Sequence, residues 1–248
     1  MGKIYHICLI TSCIIPNTKA GPITNLTKKE RLNQLTTNIN YLLETSLFKK
    51  IYIIDPYLNN EKKTNKFHLE LLANGLIKSS KIKFINFNPN EEKKFEIKQK
   101  GKGYSELEMI IVGTKKINND NNNVLIHKIS GRYKILNIKK IIKKSEVIFN
   151  NKKQLYLPFS RLLSKCFTVL ITYKSHIDVK LFVDCLKDID DKKNKYIEHS
   201  FYKNIVKNKI SYRNNNVPRF ELSMLGGSKQ GRYGRYKQLI NKFLYGYM

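Results

Sequence analysis

The sequence predicts an α/β protein whose mostly parallel sheet is covered by helices on both faces. Three observations predict it. Short β-branched runs recur along the first half of the chain, the segments between them change to helical spacing, and breaks rich in Pro, Gly or Asn mark each change. Strands separated by helices of this length are joined by crossovers, which is what parallel pairing requires.

The elements follow in order. Ile4 to Ile10 is a β-branched run that ends ahead of Pro16-Asn17, so it reads as a buried first strand. A Thr27-x-x-Glu30 capping box then opens a helix carrying Leu32, Leu35, Ile39, Leu42 and Leu43 on one side, to about Ser46. Ile51 to Ile54, closed by Asp55-Pro56, is the second strand, and Phe67, Leu71 and Leu76 mark a second helix. Lys81 to Phe87 alternates as a third strand until Asn88-Pro89-Asn90 breaks it. Gly101 and Gly103 precede a helix with Leu107, Ile110, Ile111 and Ile117, and the Asn-rich loop 118–123 leads to a fourth strand, Val124 to Ile129. The remainder is less regular. It predicts a helix from Asn137 to Lys144, a strand from Phe167 to Tyr173, a helix with Val179, Phe182, Val183, Leu186 and Ile189, and another from Tyr196 to Val206. The division expected is an α/β unit over 1–206 and a basic C-terminal segment over 207–248, ending in a helix with Tyr236, Leu239, Ile240, Phe243 and Leu244.

Composition narrows the classes. The formal charge is +28 at pH 7, which favours anionic partners. However, there are 40 Lys against 7 Arg, and Lys, Asn and Ile together make up 98 of 248 residues, all with A/T-rich codons. Readers of phosphate or bases favour Arg for its bidentate fork, so no specific nucleic-acid partner is expected. Cys8, Cys13, Cys166 and Cys185 show no Cys-x-x-Cys spacing and no accompanying His, which points to a reducing, cytoplasmic setting without a zinc site. The longest apolar stretch, Ile4 to Ile15, is 12 residues and interrupted, well short of the ~20 that a spanning helix requires. A lipoprotein-like ending at Ile10-Thr11-Ser12-Cys13 has only Lys3 before it as a basic flank.

Ligands of open parallel sheets bind beyond the carboxyl ends of the strands. The loops 11–27, 55–63, 88–103 and 130–137 are therefore where a site is expected. In Gly101-Lys102-Gly103-Tyr104-Ser105-Glu106, Gly101 and Gly103 let a backbone come close to a ligand and aim amides at an anion, with Glu106 in the first turn for the dipole or a sugar hydroxyl. An ordinary capped turn is the competing reading. His127-Lys128-Ile129-Ser130-Gly131-Arg132-Tyr133 brings Lys128, Arg132 and Tyr133 to the mouth of the fourth strand. Thr11, Ser12 and Asn17 follow strand one as nucleotide contacts, Arg31 is placed for a phosphate, and Asp55 for a base or ribose. A strand-end acid such as Asp55 also commonly caps a loop.

The order Leu9-Ile10-Thr11-Ser12-Cys13-Ile14 with Arg31, then Gly-Tyr-Ser-Glu-Leu-Glu, then His-Lys-Ile-Ser-Gly-Arg-Tyr, resembles small bacterial glycosyltransferases of capsule and lipopolysaccharide synthesis. Tyr196-Ile197-Glu198-His199-Ser200-Phe201-Tyr202 and Gly226-Gly227-Ser228 continue the resemblance over most of the chain. It implies a GT-A-like fold, a nucleotide-sugar donor as co-substrate, and a glycan or lipid-linked acceptor. GT-A enzymes commonly carry Asp-x-Asp after the fourth strand to hold a divalent metal, and here Ser130-Gly131-Arg132 stands there. Lys128 and Arg132 would then serve the leaving phosphate as fixed cations, and no resident metal or other cofactor is expected. Asp188-x-Asp190 has the spacing elsewhere, in a Lys-flanked helix end that reads as solvated.

Glycosyl transfer with inversion needs a base for the acceptor hydroxyl. Glu198 and His199 are the candidates, with Asp178 a second choice better suited to capping. Gly227, Ser228 and Lys229 would fold over the diphosphate as a nest, with Arg232 and Arg235 extending the positive field. The last helix suits an anionic membrane surface at the inner face of the cytoplasmic membrane, although its apolar residues suit core packing better. Two rivals remain: a non-catalytic basic nucleic-acid binder, and a nucleotidyltransferase, for which strand one lacks a Gly-rich signature.

Overall fold

The computed structural model describes residues 4–15, 26–120, 124–150, 155–160, 163–177, 179–206 and 222–223. Asn17, Asp178, Gly227, Ser228, Lys229 and all of the 207–248 segment except Leu222–Ser223 lie outside the described residues. In chain order the elements are β1 (Tyr5–Thr11), α1 (Lys28–Glu44), β2 (Lys50–Ile54), α2 (Glu61–Ala73), β3 (Ile82–Ile85), α3 (Glu91–Lys100), α4 (Lys102–Asp120) and β4 (Val124–Ser130). They continue with β5 (Lys134–Ile135), α5 (Ile138–Asn150), β6 (Leu155–Tyr156), β7 (Phe159–Ser160), β8 (Lys165–Cys166), β9 (Leu170–Lys174), α6 (Lys180–Leu186), α7 (Ile197–Phe201) and β10 (Leu222–Ser223).

Six strands form the main sheet in the order β3-β2-β1-β4-β9-β6. The pairs β1/β2, β2/β3 and β1/β4 are parallel, whereas β9 runs antiparallel to β4 and to β6. The fold class is therefore the one expected, a Rossmann-like, mostly parallel sheet between helices. Strand alternation divides the core. Ile7, Leu9, Ile126, Ile171 and Tyr173 point to the face covered by α4, α6 and α7. Cys8, Ile10, Ile51, Ile53 and Ile129 point to the face covered by α1, α2 and α5. From β1 the chain winds outward through β2 and β3, then returns to place β4 on the other side of β1. The direction of winding thus reverses between β1 and β4, and their carboxyl ends flank the switch point of the sheet.

The capping box at Thr27 is formed, its hydroxyl accepting from the Glu30 amide at 3.2 Å. Other elements differ from expectation. The loop predicted over 88–103 contains α3, capped by the Asn90 side chain accepting from the Lys93 amide at 2.9 Å. None of the residues of α3 is buried, so it had no apolar stripe to reveal it. It is held by the partly buried Ile97 against the core and by charge. The Lys93 ammonium reaches the Tyr104 hydroxyl at 2.9 Å and Glu108 at 2.8 Å, and Tyr104 in turn bonds Glu96. Helix α4 runs through residues 118–120 of the predicted Asn-rich loop, Leu76 is a buried residue beyond α2, and the strand expected over 167–173 is realised as β9, which starts at Leu170 and reaches Lys174.

A polar chain crosses the α1/α5 face. The His6 ring stands 2.7 Å from Glu146 on one side and 2.9 Å from the His127 ring on the other, and His127 reaches the Thr172 hydroxyl at 2.9 Å. His127 is fully buried, with Phe48 edge-on to its ring at 5.8 Å.

Candidate active site

The switch point is closed tightly at its base. The Gly131 amide donates to the Thr11 carbonyl at 2.9 Å, tying the loop after β4 to the end of β1. A Cβ on Gly131 would come within 3.0 Å of both Ser12 Cβ and Leu35 Cδ1, so the glycine is what lets the two loops meet. This contact aligns the residues after β1 with those after β4.

Ser12, Arg31, Asp55 and Arg132 gather on one side. Asp55 ends β2 fully buried, and its carboxylate accepts from the Ser12 hydroxyl at 2.6 Å and from the amides of Ile14 and Tyr57 at 3.0 and 2.9 Å. Burial pushes its pKa up, and those donors together with Arg31 oppose the shift. One oxygen thereby shapes the loop after β1 and the other the loop after β2. Arg31, on the first turn of α1, donates to the carbonyls of Leu26 and Cys13, each at 3.3 Å. Burial depresses its pKa, and the Arg132 guanidinium adds to the depression. Two arginines thus share one field. Arg132 is half-buried, with its guanidinium 6.0 Å from the ring of buried Tyr133.

Thr11, Glu106, Lys128, Asp191 and Glu198 form the other side. Lys128 extends from β4 to the face of α4 with its side chain wholly enclosed. Its ammonium pairs with Glu106 and donates to the Thr168 carbonyl at 2.8 Å, with the Ser130 hydroxyl at 3.5 Å. The Thr11 hydroxyl stands 3.5 Å from the same Glu106 oxygen. Burial would raise the Glu106 pKa, but the charge and hydrogen bond of Lys128 together with the charges of Arg132 and Lys102 outweigh it and hold the carboxyl below its ordinary value. Glu198, on α7, behaves oppositely. Burial raises its pKa, and the like charges of Glu106 and Asp191 raise it further against the pull of Lys128.

Sequence reasoning named neither Asp191 nor Thr168. Asp191 opens a short 3₁₀ turn, Asp191–Lys193, and accepts from the Gly103 amide at 2.9 Å. The anion at the amino end of α4 is therefore supplied by the protein itself. A Cβ on Gly101 or Gly103 would approach Asp191 to 2.9 or 2.8 Å, and Gly101 also has φ +101°, which an L side chain rarely adopts. The remaining candidates are not drawn in. His199 is exposed, its ring 5.9 Å from Tyr196, and the Asp188 carboxylate is taken by Lys203 and Asn204 at 2.7 and 2.8 Å. Among the described residues no group of three or more His, Cys, Asp and Glu is arranged to hold a metal ion. Leu222–Ser223 pairs with β5, just beyond Arg132 and Tyr133. No helix of the described residues is long and apolar enough to cross a membrane.

The arrangement offers cations beside the buried Asp55 on one side and carboxylates of unequal proton affinity on the other. No family model matches the sequence, and no curated protein matches it. Among solved structures it is similar to mouse xyloside xylosyltransferase 1, at 10% identity over 85% of this chain and 84% of that one, with a TM-score of 0.46. It is also similar to the galactosyltransferase LgtC in complex with donor and acceptor sugar analogues, at 9% identity over 84% of this chain and 73% of that one, TM-score 0.46. A third is a cytidylyltransferase from Leptospira borgpetersenii, at 10% identity over 99% of each chain, TM-score 0.45.

Proposed function

We propose that the protein is a glycosyltransferase that moves a sugar from a nucleotide-activated donor to a surface-glycan acceptor of the capsule or lipopolysaccharide kind, at the cytoplasmic face of the membrane. The observation that carries the reading is the meeting of Arg132, Arg31, Glu106 and Glu198 around the switch point between β1 and β4, where an open parallel sheet receives a ligand.

In this reading the bond from the anomeric carbon to the donor phosphate breaks as the bond to the acceptor oxygen forms. Arg132, with Arg31 behind it, neutralises the charge that develops on the departing nucleoside diphosphate. Glu198 takes the acceptor proton. Its raised pKa gives it greater proton affinity than Glu106, which stays ionised beside Lys128. Lys128 acts through Glu106, since its own donors are satisfied within the protein. Thr11, Ser12, Asp55 and Tyr133 shape the wall for the nucleotide, and the segment around Gly227, Ser228 and Lys229 is assigned to closing the site. No resident metal is invoked, and manganese dependence is part of the test.

Thermal shift against UDP-, GDP- and CMP-sugars, with and without manganese, checks the reading, followed by product analysis. A donor that raises Tm and releases its nucleoside diphosphate, or for a CMP donor its monophosphate, on transfer supports it. Release of pyrophosphate from a nucleoside triphosphate and a sugar phosphate would instead make the protein a nucleotidyltransferase. Binding to RNA or heparin that collapses between about 50 and 200 mM salt, with no response to any nucleotide sugar, would make it a nucleic-acid binder.

A further inference from the structure

Asp191 stands where the glycines of the Gly-Lys-Gly turn and the carboxylates of the site converge. It reaches the first turn of α4 from a loop 88 residues away, and the loop is built to present it. Asp190 and Lys195 exchange backbone hydrogen bonds, each at 2.9 Å, the Asp190 side chain caps the turn by accepting from the Lys192 amide at 3.2 Å, and Asn194 takes the left-handed conformation at φ 57°. Glu106 lies one helical turn beyond Gly103, and Glu198 lies in the first turn of the short helix that follows the same loop. A single carboxylate therefore connects the start of α4, which carries Glu106, to the segment leading into α7, which carries Glu198.

We propose that Asp191 is a positioning residue: by capping α4 it fixes Glu106 against Lys128 and holds that pair in register with Glu198. Its consequence for turnover rests on the transferase reading above, but its structural content does not. Gly101 and Gly103 are small because Asp191 occupies the space that their side chains would fill. Asp191 also raises the proton affinity of Glu198 by adding a like charge beside it.

A mutant cycle on the full chain tests this. Gly103→Ala should lower Tm in the wild-type background, because the new methyl meets Asp191 Oδ1. In Asp191→Ala, the same change should leave Tm unchanged or raise it, since alanine is the better helix former once the carboxylate is gone. The Gly103 amide should exchange at least about tenfold faster in Asp191→Ala, its acceptor having been removed. In Asp191→Asn, which keeps an acceptor oxygen, exchange should stay near wild type, while the titration of a carbon-13-labelled Glu198 carboxyl moves to lower pH. A Gly103→Ala effect equal in both backgrounds, or a Gly103 amide indifferent to Asp191→Ala, would overturn the proposal. Wild-type protein that neither binds nor turns over any nucleotide sugar would overturn the transferase reading alone, because exchange, Tm and titration still judge Asp191. Where turnover is found, Asp191→Ala should lower it about tenfold and Asp191→Asn should restore most of it with the acid limb displaced to lower pH.

Discussion

His127 and Lys128 are neighbours on β4, and strand alternation sends them to opposite faces of one sheet, where both are completely buried. Their surroundings differ in kind. The His127 chain is closed. The chain closes when His6 donates to Glu146 and accepts from His127, which accepts from Thr172, so that every link has one proton and one lone pair. The Lys128 cluster is open. One ammonium faces Glu106 directly and Glu198 within its field, and Asp191 adds a further carboxylate to the group. A closed neutral chain joins strands and helix and has nothing left to give a ligand. A cluster with surplus carboxylates, placed at the switch point, has charge to offer a reaction.

The contrast is tested most severely at Lys128. Lys128→Met keeps the apolar stem and removes the charge, leaving Glu106 in a largely enclosed place with only the fields of Arg132 and Lys102 to offset it. It should cost about 3 kcal/mol in urea unfolding, with Lys128→Met/Glu106→Gln recovering part of the loss. Equal stability of wild type and Lys128→Met would mean that the cluster is solvated in solution. Next comes Arg132→Ala. It should reduce transfer about 100-fold, or about 2.7 kcal/mol, while Tm moves by little, because the guanidinium is half-buried and outside the core. Unchanged turnover would remove the leaving-group role assigned to it. His127→Leu should do the reverse. It strands the Thr172 hydroxyl and the His6 ring nitrogen, for a stability loss of about 2 kcal/mol, yet kcat of the remaining folded protein should equal that of wild type. A fall in kcat at full folding would show that the two faces are coupled.

What could be read without coordinates follows the same division. Periodicity located β1 to β4 and the helices α1 and α4, because each buries an apolar stripe. Helix α3 buries none, so only its charges and Asn90 marked it, and those also suit a loop. Within the site, the glycines at 101 and 103 were legible as a place of close approach, but not what approaches. Asp191 lies 88 residues from Gly103, and nothing local in Asp190-Asp191-Lys192-Lys193 distinguishes it from a solvated turn. Lys128 was legible as a cation at the end of a strand. That its ammonium is consumed by Glu106 and the Thr168 carbonyl depends on α4 and on the residues before β9, whose placement tertiary packing alone decides.

The smallest effect expected is a slope. Burial holds the pKa of His127 well below its ordinary value of about 6.5, and a proton on the neighbouring His6 would depress it further. The folded protein therefore binds no proton there at mildly acid pH, whereas the unfolded chain does. The sign is that of a group with depressed folded pKa: its stability is fully present above about pH 6.5 and is lost as pH falls, at up to about 1.4 kcal/mol per unit. Glu198, Asp191 and Asp55, whose folded pKa values are raised, act in the opposite sense at lower pH, and they are common to wild type and variant. The difference in unfolding free energy between wild type and His127→Gln, measured from pH 7.5 to 5.5, therefore isolates the histidine. Wild type should lose its advantage steadily below pH 6.5. Parallel curves would mean that His127 takes up a proton in the folded state, and the neutral, closed chain on that face of β4 would have to be redrawn as a charged one.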